Sequence, residues 1–361
     1  MDTETKMQII RSIAEEIITE NELRQVFETK DHPVAYDGFE PSGRPTIAQG
    51  LLRAITINKI VKSGVKFIML AADWHGWANN KMGGDLEKIQ VAGDFLIEVW
   101  KASGMSDKVV FKRSSDLIYE KNYWKTVLQI ARNTTVQRMV RCSQIMGRSE
   151  SEILSSSQII YPAMQCADIF ELGCDITQLG MDQRKVNILA REVGPSLGFW
   201  KPIVVSHHML MGLQAPSQGE LSAEEKAIKM KMSKSKPDTA IFMDDSEEEI
   251  RRKIAKAYCP EKQVEENPVL EYCKYIVFEK FKTVDIERPK KFGGNLEIAS
   301  YAELEKIYKE GDLHPMDLKN SVATKINELV LPVREHFEKN KKAGELRDRM
   351  GKFQTELQAK K

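Results

Sequence analysis

Between residues 34 and 205, short β-prone runs alternate with helical stretches of ten residues or more, and this alternation limits the fold more than any other feature. Residues 34–39 (VAYDGF), 66–72 (KFIMLAA), 109–111, 175–179 and 203–205 read as strands. Helices are expected over 46–63, from Asp85 to about Gly104, through a long stretch at 114–172, and over 182–193. Parallel strands need long crossovers, so this order implies βαβ units and a parallel sheet covered by helices. Ahead of it, Ile9, Ile10, Ile13, Ile17 and Val26 recur at helical spacing, so residues 5–28 read as one amphipathic helix broken by His32-Pro33.

The texture changes near residue 211. A Gly-, Ser-, Pro- and Gln-rich segment leads into the lysine-dense AIKMKMSKSKPD, and beyond Asp244 the chain is charged and mostly helical. The expected division is an α/β domain over 1–237 and a smaller helical one over 238–361. With 42% hydrophobic and 30% charged residues, 361 residues can bury a core in each. No run approaches the ~18 apolar residues of a membrane span, and the acidic start is unlike a secretory leader. The five cysteines show no CxxC pair, which suits reduced thiols and a cytoplasmic location, with no bound protein metal expected. A net charge of +1 means that any nucleic-acid contact must use local patches.

The chain lacks GxxxxGK[ST], a GxGxxG after a strand, HExxH and GxSxG. It does carry Lys229, Lys231, Met232, Ser233, Lys234, Ser235 and Lys236 after a flexible segment. Clustered ammonium groups with small hydroxyls suit a loop that neutralises charge growing on a polyphosphate, although composition alone favours a solvated basic loop or a localisation-like tract. At the end of the first strand, Gly38 would let a ligand approach the backbone, and Glu40-Pro41-Ser42-Gly43 leads into a helix whose free N–H groups suit an anion.

Taken together, the EPSG turn and the KMSKS tract about 190 residues later resemble the class I aminoacyl-tRNA synthetases. The likeness is to the tyrosine enzymes of archaeal and eukaryotic type. It extends through AADWH (71–75), YPAMQCAD (161–168), GMDQRK (180–185) and HPMDLK (314–319), almost the whole chain. What the resemblance implies is a Rossmann-like class I catalytic domain over 1–237, with an acceptor-stem and dimer insertion at about 109–160. A helical anticodon-binding domain follows over 238–361. The implied partners are L-tyrosine, ATP as a substrate with Mg²⁺, tRNA(Tyr) and a second copy of the chain.

Residue by residue, Tyr36 and Asp168 match the pair that holds the substrate phenol, and Tyr161, Gln165 and Gln183 match the ligands of its amino end. A buried carboxylate and hydroxyl that pair with a phenol are left unpaired by phenylalanine, and the worked case for such rejection is itself a tyrosine synthetase, at ~10⁵. Tyr161, Gln165 and Asp168 share a helix face by their i, i+4, i+7 spacing. Lys231, Ser233 and Lys234 match the phosphate loop, and Gly38 the ATP-binding turn. One departure stands out. The two-histidine signature of the family is replaced by Thr46-Ile47-Ala48-Gln49, so Thr46 and Gln49 are expected to act as neutral donors to phosphate.

For RNA, residues 121–148 hold six cations and no carboxylate, and Arg138, Arg141 and Arg148 fall within roughly 80° on a helix. Arg141 and Lys185 match the acceptor-stem readers, and Phe292 and Asp317 match the positions that stack on and bond the first anticodon base. His207-His208 reads as a surface loop, and Trp74, Trp77, Trp100 and Trp124 as core. Two alternatives compete: a tryptophan enzyme, against which the Tyr36/Asp168 pair argues, and an inactive RNA-binding scaffold, for which an intact KMSKS would be superfluous.

Overall fold

The computed structural model describes residues 1–147, 154–216, 229–234 and 236–359. Six strands form one sheet: β1 (Ala14–Ile18), β2 (Val34–Phe39), β3 (Lys66–Ala71), β4 (Val110–Arg113), β5 (Ile176–Thr177) and β6 (Ile203–His207). Their order is β1-β6-β5-β2-β3-β4, and all neighbours run parallel except β1, which pairs antiparallel with β6. From β2 the chain winds outward through β3 and β4, then returns to β5 and winds the other way. A crevice therefore opens between β2 and β5 at the carboxyl ends of the strands, where open α/β sheets hold their ligands.

Side chains alternate across the sheet as strand geometry demands. Ala35, Phe67 and Met69 face the layer of Met7, Leu23, Phe27, Leu96 and Trp100, whereas Tyr36, Ile68 and Leu70 face that of Tyr123, Tyr161 and Met164. Phe67 and Met69 are fully buried, which stabilises the fold by about 2 kcal/mol each. This register turns Tyr36 toward the helix Ser156–Glu171.

The single opening helix expected from periodicity is in fact two, Thr3–Arg11 and Glu20–Thr29, with β1 between them. Ile17 and Ile18 pair with Val205 and Val204, covering an edge that β6 would otherwise expose. Thr19 then starts the second helix with a capping box to Glu22. The helix expected over 46–63 begins as a π-turn, Ala48–Leu52, and becomes α-helical at Arg53–Lys62. Of the four tryptophans read as core, Trp100 is fully buried, but Trp77 and Trp124 are 45% and 40% exposed.

Beyond residue 237 the regular elements of the described chain are helices apart from a β-ribbon, β7 (Val284–Ile286) with β8 (Leu296–Ile298). Its last two helices, Pro315–Lys339 and Lys341–Ala359, lie back against the helix Leu86–Ala102. Phe95 meets Phe337 with ring centroids 4.9 Å apart, and Lys88 bonds Glu356 at 2.5 Å. One apolar cluster thus runs from Leu51 and Phe95 to Val330 and Phe337.

Candidate active site

The crevice is a cavity of about 730 Å³. One wall is the helix Ser156–Glu171, started by a Ser155–Gln158 capping box, which sends Tyr161, Gln165 and Asp168 into it. Tyr36 arrives from the middle of β2, and Gln183 from the turn before the helix Arg184–Val193. Gln165 Nε2 donates to Gln183 Oε1 at 3.1 Å, and Gln183 Nε2 donates to the Ile145 carbonyl at 3.0 Å, so the two amides hold each other in place.

Asp168 is 1% exposed and doubly supported. The Tyr123 hydroxyl donates to Oδ1 at 2.9 Å, and His75 Nε2 lies 3.0 Å from Oδ2. Burial alone would depress the His75 pKa, but Asp168 outweighs it and the net shift is upward. An ionised carboxylate can accept about four hydrogen bonds, so Asp168 keeps capacity for a ligand. The Tyr36 hydroxyl is also buried and has no hydrogen-bond partner among the described residues. Its pKa is pushed well above the usual phenol value, by burial first and the Asp168 charge second, so it stays a neutral donor. A buried hydroxyl left unpaired costs about 1–3 kcal/mol, which a bound polar group would recover.

The other end of the cavity is cationic. Lys231 Nζ lies 2.6 Å from Asp182 Oδ2, and Lys234 Nζ donates to Ser42 Oγ at 3.3 Å; Ser233 lies beside them. Burial first, then the charge of Lys81, lowers the Lys234 pKa to about 7. Lys81 lies 3.2 Å from Glu40, whose carboxylate also accepts from Asn79 Nδ2 at 3.0 and 3.1 Å. Gly38, Thr46 and Gln49 line the same space. Thr46 is fixed by a β-bridge to Phe242, and its N–H donates to Gln49 Oε1 at 3.3 Å, which leaves the Gln49 NH₂ as a donor for a ligand. Ser235 and residues 217–228 lie outside the described residues.

The five tyrosine-site candidates therefore border one cavity together with Gly38, Thr46, Gln49, Lys231, Ser233 and Lys234, whereas Lys229 and Lys236 do not line it. Sequence reading missed the residues behind them: His75 and Tyr123, which support Asp168, and Asp182, Glu40 and Lys81, which partner the cationic end. His75 carried a signal in the AADWH match; Tyr123, 45 residues from Asp168, carried none. Also unread was the buried ion pair of Asp37 with Arg53 Nε, at 2.8 Å, which ties β2 to the helix after the π-turn. Removing one member of such a pair typically costs about 3–5 kcal/mol. His207-His208 is not a surface loop. His207 ends β6, 7% exposed, and both histidines border the cavity.

The RNA candidates lie elsewhere. Arg141 is exposed on the helix Val136–Cys142, and the thiol of the next residue, Cys142, lies 3.8 Å from the Lys185 carbonyl oxygen, so Arg141 and Lys185 belong to adjoining helices. Arg138 pairs with Glu192 at 3.0 Å, and Arg148 lies outside the described residues. Asp317 is in the first turn of the helix Pro315–Lys339. Phe292 closes a 3₁₀ turn, Lys290–Phe292, but its side chain lies outside the described residues.

A crevice at the sheet's switch point, with a polar helix on one side and a KMSKS loop on the other, defines the chain's class. The family described as tRNA synthetases class I (W and Y) matches residues 28–330, and the chain belongs to it. Within that family its relatives lie on the tyrosine branch. It is 49% identical to tyrosine–tRNA ligase 1, cytoplasmic, of Arabidopsis thaliana, over 96% of this chain and 88% of that one. It is also 49% identical to that plant's ligase 2, over 98% of this chain but only 46% of the longer relative. The Pyrococcus horikoshii tyrosyl-tRNA synthetase complexed with L-tyrosine superposes with a TM-score of 0.89 at 40% identity, covering 96% of this chain and 99% of that one. By contrast, the Aeropyrum pernix tryptophanyl enzyme is 17% identical, with a TM-score of 0.66 over 91% of this chain and 84% of its own, and shares the fold alone.

Proposed function

We propose that the chain is a tyrosine–tRNA ligase, which forms tyrosyl-adenylate from L-tyrosine and ATP and then passes the tyrosyl group to tRNA(Tyr). The observation that carries this reading is the Tyr36 hydroxyl, buried without a partner among the described residues, on the same cavity as Asp168. A phenol can donate to Asp168 and accept from Tyr36; an indole N–H can only donate. Tyr161, Gln165 and Gln183 would receive the substrate ammonium group.

In the first step a tyrosine carboxylate oxygen attacks the ATP α-phosphorus. The bond to the bridging oxygen breaks and pyrophosphate leaves with the electron pair. Lys231 and Lys234 would neutralise the charge that develops, with Thr46 and Gln49 donating to phosphate oxygens and the glycine backbone at Gly38 admitting the nucleotide. Mg²⁺ would enter with ATP and offset phosphate charge. Its typical site is substrate phosphates plus one or two carboxylates, and Glu40 and Asp182 are the cavity carboxylates nearest the lysines. In the second step a hydroxyl of the tRNA's terminal adenosine takes the tyrosyl group and AMP leaves. Positioning and electrostatics carry both steps, and no covalent protein intermediate is needed.

Arg141 and Lys185 would read the acceptor end, and Phe292 and Asp317 the anticodon. The division at 237 follows the same scheme. A homodimer would cover Val110, Tyr119, Trp124, Leu128 and Val136, apolar side chains between 40% and 74% exposed within the expected insertion. No helix among the described residues is long and apolar enough to cross a membrane; a cytoplasmic location fits the plant relatives. Tyrosine-dependent ATP–pyrophosphate exchange on the purified chain tests the reading. Exchange with tyrosine and none with tryptophan supports it; no exchange with either would favour an RNA-binding scaffold.

A further inference from the structure

The segment after β6 is held from two sides. On one side it forms a short antiparallel ladder with the phosphate loop: Met211 bridges Lys231, Gly212 N donates to the Met230 carbonyl at 2.7 Å, and Met232 N donates to the Leu210 carbonyl at 3.2 Å. On the other side it is gripped by the helix Pro268–Tyr272, beyond the expected domain boundary. Glu271 accepts from Met211 N at 2.6 Å, and the Tyr272 hydroxyl donates to the Met211 carbonyl at 2.9 Å. The backbone of Met211 is thus fixed by the C-terminal half while its ladder partner is Lys231.

His208 stands at the centre of this grip. Its Nδ1 lies 2.7 Å from Glu15 on β1, its Nε2 lies 2.9 Å from Glu271, and its ring stacks on Tyr275 with centroids 4.0 Å apart. Lys274 Nζ lies over the same Tyr275 ring at 5.0 Å, and the adjacent His207 faces Asp37 at 3.6 Å. Three parts of the fold meet on one imidazole: the sheet edge, the cavity mouth and the helical turns over 268–277 of the C-terminal half.

We propose that His208, clamped between Glu15 and Glu271, is a positioning residue for adenylate formation, fixing the 209–212 segment on which Lys231 is registered and so coupling the C-terminal half to the phosphate loop. This rests on the ligase reading above. Both ring nitrogens face carboxylates, so the clamp is complete only when both carry protons. Burial lowers the ring's pKa, but the two carboxylates raise it to about 9, and the clamp is closed at neutral pH. Because the pKa is raised, the contact is present at neutral pH and is lost as pH rises through about 9.

The test uses the full chain and the exchange assay, with the rate read at saturating substrates. His208→Gln and Glu271→Gln should each lower kcat by about tenfold with tyrosine KM within about twofold, and the double variant should fall no further than the worse single one. Gln at 271 keeps an oxygen for Met211 N, so its effect isolates the charge. His208→Arg should restore most of kcat and remove the parent's extra loss above pH 9. Variants within twofold of the parent in kcat, additive losses, or equal losses in kcat and tyrosine affinity would overturn the proposal. Should His208→Gln unfold, Glu15→Gln on the half-exposed arm replaces it, and an unchanged kcat there overturns it equally. A parent with no tyrosine-dependent exchange would instead remove the ligase reading.

Discussion

The Tyr123 hydroxyl donates to Asp168 Oδ1 at 2.9 Å, and both side chains are buried. This bond orients the carboxylate that the tyrosine phenol is proposed to meet, and His75 supports the other oxygen. Asp168→Ala should cost ~2–4 kcal/mol in kcat/KM for tyrosine, because the phenol proton loses its charged acceptor. Tyr123→Phe should cost only ~1 kcal/mol, felt mainly as a raised tyrosine KM. Near-parental kcat/KM for tyrosine in Asp168→Ala would remove that residue from the pocket.

At the phosphate end, a donor that acts as charge develops is worth ~2.7–4 kcal/mol in other enzymes. Gln49→Ala should therefore slow tyrosyl-adenylate formation at least tenfold with little change in tyrosine affinity. Thr46→Ala should do less, since the residue is buried and its short hydroxyl would reach phosphate through water. Rapid-quench measurement of adenylate formation compares them. A Gln49→Ala rate within twofold of the parent would leave lysines, Mg²⁺ and the helix N-terminus to carry the step.

Lys234 sets a pH dependence. With its pKa lowered to about 7, the ammonium is charged below that pH and neutral above it in the free protein. ATP phosphates favour the charged form, so ATP binding should take up a proton above pH 7 and progressively less below it. Calorimetry at pH 8 in buffers of different ionisation enthalpy should show this uptake, and Lys234→Ala should abolish it. Lys231→Ala, like Lys234→Ala, should lower the adenylate rate more than tyrosine affinity. Equal losses would point to folding or ground-state binding.

None of the residues proposed to contact RNA lines the cavity. Asp317→Ala should weaken aminoacylation of tRNA(Tyr) by ~1–2 kcal/mol while leaving pyrophosphate exchange intact, and Arg141→Ala should reduce discrimination at the acceptor end. Normal charging by both variants would show that RNA is held elsewhere.

Much of the sheet was legible because its signals are local. Residues 34–39 read as a strand to the residue, and Asp85 caps its helix as expected. The failures came where tertiary pairing overrode local pattern. Ile17 and Ile18 fit an amphipathic helix but gain more as a strand against Val204 and Val205. The π-turn at Ala48–Leu52 had no sequence mark at all. In the site, family motifs carried the cavity-lining candidates, since those occur in short runs. Their supports were unreadable for a physical reason: Tyr123, Arg53 and Glu271 reach Asp168, Asp37 and His208 across distances that only the folded chain closes. Trp77 misled in another way, being large and apolar yet bonded at the surface to the Gly84 carbonyl at 3.1 Å.

The return of the last two helices onto Leu86–Ala102 bears on how such a chain can be re-engineered. Phe337 belongs to the same apolar cluster as Phe95, and Leu357 packs against it, so the C-terminal half is not a cassette attached by a tether. Exchanging it between homologues would graft a foreign surface onto a native one along the whole length of a catalytic-half helix. A chimaera that keeps charging activity should need its junction drawn in space, with residues 86–102 travelling with the transplanted C-terminal helices.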